Sequence, residues 1–70
     1  MTNADLDNWF TYHSPTPVQV TQYLAIREAG KQFAEVLLAQ TPASADQTVA
    51  IRKVREAVMV ANQSIACGGK

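Results

Sequence analysis

Apolar residues recur along this chain at helical spacing, in two long stretches and one short one. Tyr23, Ile26, Gly30, Phe33 and Leu37 follow one another at intervals of 3, 4, 3 and 4. Ile51, Val54, Val58, Ala61 and Ile65 repeat the same intervals. Each series marks one buried seam of an α-helix. Leu6, Trp9 and Phe10 give a shorter version near the start.

Turn and cap residues set the expected limits. The first helix covers roughly residues 3 to 11, with Thr2 or Asn3 as its cap and Asp5 in the positive first turn. Pro15 and Pro17 then forbid continuation. Thr16 caps a second helix with Pro17 at the tolerated first position, and this helix runs to about Gln40. The third follows "TPASADQ", where Ser44 and Gln47 match a capping box, and it stops near Ala66 before Gly68 and Gly69. Gly30 costs about 1 kcal/mol inside a helix, which close approach of another backbone would offset.

The predicted class is therefore all-α: a short N-terminal helix and two long antiparallel helices forming an open hairpin, one domain over residues 1–70. Val20, Leu24 and Leu38 on the second helix, and Ala50, Ala57 and Val60 on the third, lie off the seams. One antiparallel partner cannot cover them. Seventy residues bury only about 60% of the unfolded chain's surface, so a core this small needs help. Cys67 is the sole cysteine and His13 the sole histidine, which leaves neither a disulfide nor a zinc site. Self-association is the expected remedy.

Charge narrows the function. Six basic and six acidic side chains cancel, unlike the strong basic excess of duplex-coating or membrane-coating proteins. No apolar run exceeds five residues, far short of a membrane span, and Met1 leads into "TNADLD" without signal-peptide character. A cytoplasmic protein is expected. The acidic residues Asp5, Asp7, Glu28, Glu35, Asp46 and Glu56 are scattered, and His13 has no orienting partner, so no catalytic set forms. The expectation is no enzyme, no metal and no cofactor.

Binding chemistry is better represented. Tyr12 and His13 fall where the first helix yields to the proline turn, and aromatic rings stack on nucleobases whatever their identity. Arg27 and Lys31, one turn apart, offer groups that pair with phosphate, and a guanidinium also stacks on a base. "IRKVREAV" holds Arg52, Lys53 and Arg55, a cluster that is either a solvated face or a phosphate contact. Asn62 interrupts the apolar stretch "VMVANQSIA" and either fixes helix register or lines a pocket.

The order of "TYHSP", "QYLAIREAGKQFA" and "REAVMVANQSIA" over residues 9 to 67 resembles the anti-CBASS protein 2 family of bacteriophages. "YH(S/T)P", "Y-x-AIRE" and "EAVM-x-AN-x-SIA" are its most recognisable parts. The resemblance implies a helical protomer assembled into a homohexamer that acts in the cytoplasm of the infected bacterial host. Such proteins serve immune evasion as sponges, sequestering cyclic oligonucleotide messengers without cleaving them. Cyclic dinucleotides, cyclic GMP-AMP included, sit between neighbouring protomers, and some members hold cyclic trinucleotides in separate pockets. By position, Tyr12 matches the family's base-stacking tyrosine and Arg27 its stacking and phosphate-pairing residue. His13, Lys31 and Asn62 complete the candidate set, with His13 facing the ligand or the neighbouring protomer. Trp9 and Phe10 would anchor the first helix. After "SIA" the family commonly has an arginine tied to the trinucleotide pocket, whereas this chain has Cys67, a thiol that cannot pair with phosphates. The competing reading is a small helical oligomerisation or adaptor protein whose ligand is another protein.

Overall fold

A computed structural model covers residues 1–70 and contains three helices and no strand: α1 (Asn3–Trp9), α2 (Pro17–Gln40) and α3 (Ala45–Ala66). Only α2 and α3 pack along their lengths. The two predicted seams face each other. Tyr23, Ile26, Gly30 and Leu37 are half-buried against Ile51, Val54, Val58, Ala61 and Ile65, while Phe33 is left more than half exposed beside the seam.

Caps fix the helix ends. The Thr2 hydroxyl accepts from the Asp5 amide at 3.1 Å while the Asp5 carboxylate accepts from the Thr2 amide at 2.8 Å. Thr16 and Gln19 make the same reciprocal pair at the head of α2. At α3 only half of the predicted box forms. Ser44 Oγ accepts from the Gln47 amide at 3.1 Å, but the Gln47 carboxamide crosses the turn and donates to the Leu38 and Thr41 carbonyls at 3.2 and 3.1 Å. Those carbonyls belong to the unsatisfied end of α2, so Gln47 closes the hairpin instead of its own cap. Ser44 is the N-cap of α3 as its capping role predicted, and the helix starts at Ala45, inside "TPASADQ" and not after it.

Helix α3 ends in a Schellman turn. Gly68 and Gly69 have φ of 68° and 78°, and the Gly69 amide donates to the Ser64 carbonyl at 2.8 Å. Helix α1 stops at Trp9, two residues short of expectation. Its last carbonyls are taken by side chains: Asp7 O by the Thr11 hydroxyl, Asn8 O by His13 and Cys67, and Trp9 O by Gln63.

Gly30 has a different partner from the one expected. A Cβ there would lie 2.5 Å from Val58 Cγ2, a side chain and not another backbone. The anchoring role expected of Phe10 is also overturned, because its ring is 83% exposed. Of the two aromatic residues only Trp9 is tied down, donating from Nε1 to the Lys70 carbonyl at 3.1 Å.

The protomer is a thin slab, 45 × 28 × 15 Å, with a radius of gyration of 15.1 Å. A compact chain of this length would have a radius near 11 Å. Its accessible surface is 5609 Å², against about 4300 Å² for a typical folded monomer of its mass. Cys67, at 7% exposure, is its one buried residue. No helix is long and apolar enough to cross a membrane.

Candidate functional site

A hairpin one layer thick has two broad faces, and α2 and α3 give them different chemistry. Successive residues turn by about 100° around a helix. Tyr23, Arg27, Lys31 and Ala34 therefore fall on one stripe of α2, while Arg55, Met59, Asn62 and Ala66 fall on one stripe of α3. The two stripes run side by side and line two adjoining depressions. The larger, about 370 Å³, is bounded by Tyr23, Arg27, Met59, Asn62, Gln63 and Ala66. Beside it, about 250 Å³ lies between Arg27, Lys31, Ala34, Ile51, Arg55 and Met59, with Gly30, Val54 and Val58 at the floor. Arg27 and Met59 border both, so the two form one continuous groove.

Of the five candidate residues, Arg27, Lys31 and Asn62 come together in that groove. No acidic side chain lines it. Its cationic end holds Arg27, Lys31 and Arg55; its other end offers Tyr23 and the carboxamides of Asn62 and Gln63. Asn62 has its Oδ1 buried without a hydrogen-bond partner, an arrangement that costs about 1–3 kcal/mol.

Tyr12 and His13 are placed elsewhere. Tyr12 is 83% exposed and lines none of the five depressions on the chain, so one protomer does not bring it to Arg27. His13 is partly buried, with Nε2 2.7 Å from the Asn8 carbonyl. A carbonyl only accepts, so Nε2 carries the proton and donates. His13 thus fastens the turn after α1, and only its other ring nitrogen is left for a ligand.

Cys67 is spent on the same junction. Its thiol accepts from Gln63 Nε2 at 3.1 Å and faces the Asn8 carbonyl at 3.7 Å, while Asn8 Nδ2 donates to the Cys67 carbonyl at 3.1 Å. No group of three or more His, Cys, Asp or Glu side chains is placed to hold a metal ion.

The opposite face is apolar. Ile26, Ala29, Phe33 and Leu37 with Ala50, Val54, Ala57 and Ala61 line a shallow groove of about 620 Å³, and Lys53 stands at its side. The basic run of α3 is therefore split: Lys53 borders the apolar face, Arg55 the cationic groove, and Arg52 neither. Sequence reasoning grouped these three by proximity and missed Tyr23, Gln63 and Met59 at the groove. Their signal was helical phase, since Arg55, Met59, Asn62 and Ala66 are spaced 4, 3 and 4.

The chain is an all-helical hairpin with a cationic groove on one face and an apolar groove on the other. The model of the Acb2/Tad1 hairpin domain matches residues 2–66, and the chain belongs to that family, the anti-CBASS protein 2 family. Nothing matches it among curated proteins or among solved structures. Family membership suggests a cyclic oligonucleotide-binding, phage anti-defence role, and the family is known for binding, not for catalysis.

Proposed function

We propose that the whole chain, residues 1–70, is one helical sponge domain that sequesters cyclic oligonucleotide messengers without cleaving them. Its ligands are cyclic dinucleotides such as cyclic GMP-AMP, held so that the phage evades CBASS immunity in the cytoplasm of the infected host. The observation that carries this reading is the division of the site. Arg27 and Lys31 lie in an acid-free groove, while the Tyr12 ring stands exposed and lines no depression of its own chain. A pocket completed between protomers unites them, with Tyr12 stacking on a base and Arg27 meeting base and phosphate.

Surface area supports the assembly this requires. The protomer exposes about 1300 Å² more than a compact chain of its mass. A standard interface covers about 800 Å² per partner, so this open hairpin has ample surface for self-association, and the resemblance makes the hexamer the expected assembly. The apolar groove gives the adaptor reading its one specific observation, because a partner helix could lie there.

Calorimetry separates the two. Tyr12→Ala and Arg27→Ala should each weaken cyclic dinucleotide binding about tenfold or more, since stacking on one base contributes about 1–3 kcal/mol. Circular dichroism should be unchanged, because both side chains are exposed on the protomer, and light scattering checks that assembly is intact. Unaltered affinity in both variants would refute the site, and no binding by the wild-type protein would leave the adaptor reading in its place.

A further inference from the structure

The cationic end of the groove holds one residue that neither the family motif nor the reading above assigns. Arg55 shares the depression of Arg27 and Lys31 across the seam, on the opposite helix. Its neighbours Arg52 and Lys53, equally charged and adjacent in sequence, are turned away from that depression. All three groove cations are exposed residues, and the depression they border is otherwise lined by Gly30, Ala34, Ile51, Val54, Val58 and Met59, none of which offers a strong hydrogen-bonding side chain. Three cations gathered over an apolar floor repel one another, and an anion placed between them relieves that repulsion. A phosphodiester carries such an anionic charge.

We propose that Arg55 is a third phosphate-binding residue of the cyclic dinucleotide site. Arg27 and Lys31 approach the phosphodiester from α2, and Arg55 closes on it from α3. The inference rests on the nucleotide-binding reading and adds to it the helix-spanning grip. A guanidinium presents a planar fork that holds two phosphate oxygens at once, so the contribution of Arg55 is directional as well as electrostatic. Arg52 supplies an internal comparison: the same charge, on the same helix, lining no depression.

The test is calorimetric titration of cyclic GMP-AMP into wild-type protein, Arg55→Ala, Arg55→Lys and Arg52→Ala, with light scattering to check assembly. Arg55→Ala should weaken binding about tenfold or more, the effect of losing a hydrogen bond to a charged group. Arg55→Lys should restore part of the loss, because it returns the charge without the fork. Arg52→Ala should change affinity less than about twofold, since an exposed charge outside the contact is screened. If Arg55→Ala disturbs assembly, Arg55→Gln, which keeps most of the stem, replaces it. Equal losses for Arg52→Ala and Arg55→Ala would reduce the effect to general charge and overturn the assignment. Unchanged affinity in Arg55→Ala, with wild-type binding intact, would overturn it alone. Absence of any wild-type binding would remove the nucleotide reading and this inference together.

Discussion

Gly30→Ala sets two opposed effects against each other at a close contact between α2 and α3. Alanine is about 1 kcal/mol better than glycine in a helix interior, so propensity alone predicts a more stable protein. The added Cβ, however, would lie 2.5 Å from Val58 Cγ2 and 3.9 Å from Val54 Cγ1. Carbon atoms pack at about 3.5–4.0 Å, so the overlap with Val58 is roughly 1 Å. Valine cannot swing the methyl aside, because a β-branched side chain in a helix is held in one χ1 well. The helices must part instead, and overpacking of this kind costs about 1–3 kcal/mol. Separation also loosens the contacts of Val54 and Ile26 along the same seam, so the overlap wins. The net expectation is a loss of about 1–2 kcal/mol for Gly30→Ala. In the Val58→Ala background the obstruction is gone, and the same change should stabilise by about 1 kcal/mol. The coupling between the two sites is then about 2 kcal/mol or more. Urea unfolding followed by far-UV circular dichroism, at one fixed protomer concentration, measures all four proteins. A Gly30→Ala protein more stable than wild type would show that α2 and α3 do not approach this closely.

Three further substitutions probe other parts of the account. Thr16→Ala removes the hydroxyl that accepts from the Gln19 amide and should cost about 1 kcal/mol in the same unfolding assay. Cys67→Asp places a carboxylate in the one buried position, facing the Asn8 carbonyl, so it should loosen α1, red-shift the fluorescence of the sole tryptophan, Trp9, and lower the melting temperature; the native emission maximum would refute the junction. Asn62→Leu removes a buried, unpartnered oxygen and should leave stability unchanged or raised by about 1 kcal/mol, while cyclic dinucleotide binding falls by calorimetry.

Much of the fold was legible because the local signals agreed with one another. The 3-4 spacing located both long helices, Thr16–Pro17 marked the start of α2 and Gly68–Gly69 the end of α3. Two of the misjudged details share one cause: a side chain chose a distant partner over a local one. Gln47 left its cap to close the hairpin, Gln63 and Cys67 at the end of α3 took carbonyls from the end of α1, and Asn8 of α1 donates in return to the Cys67 carbonyl. No local pattern records such choices. Phe10 was read as an anchor because aromatics usually bury, yet Trp9 alone has a docking partner. At the groove, motif order pointed to Arg27 and chain position to Lys31, whereas Tyr12, which motif order also singled out, lines no depression of its own chain. The split of Arg52, Lys53 and Arg55 between faces follows helical phase relative to a partner helix, which sequence proximity conceals.

The central claim, capture without cleavage, is tested most directly by recovering the ligand. Purified protein is incubated with cyclic GMP-AMP, freed of unbound nucleotide, heated to unfold it, and the released material is separated by chromatography. The account predicts intact cyclic GMP-AMP in an amount proportional to protein. Linear or mononucleotide fragments in the released material, or no retained nucleotide at all, would contradict it.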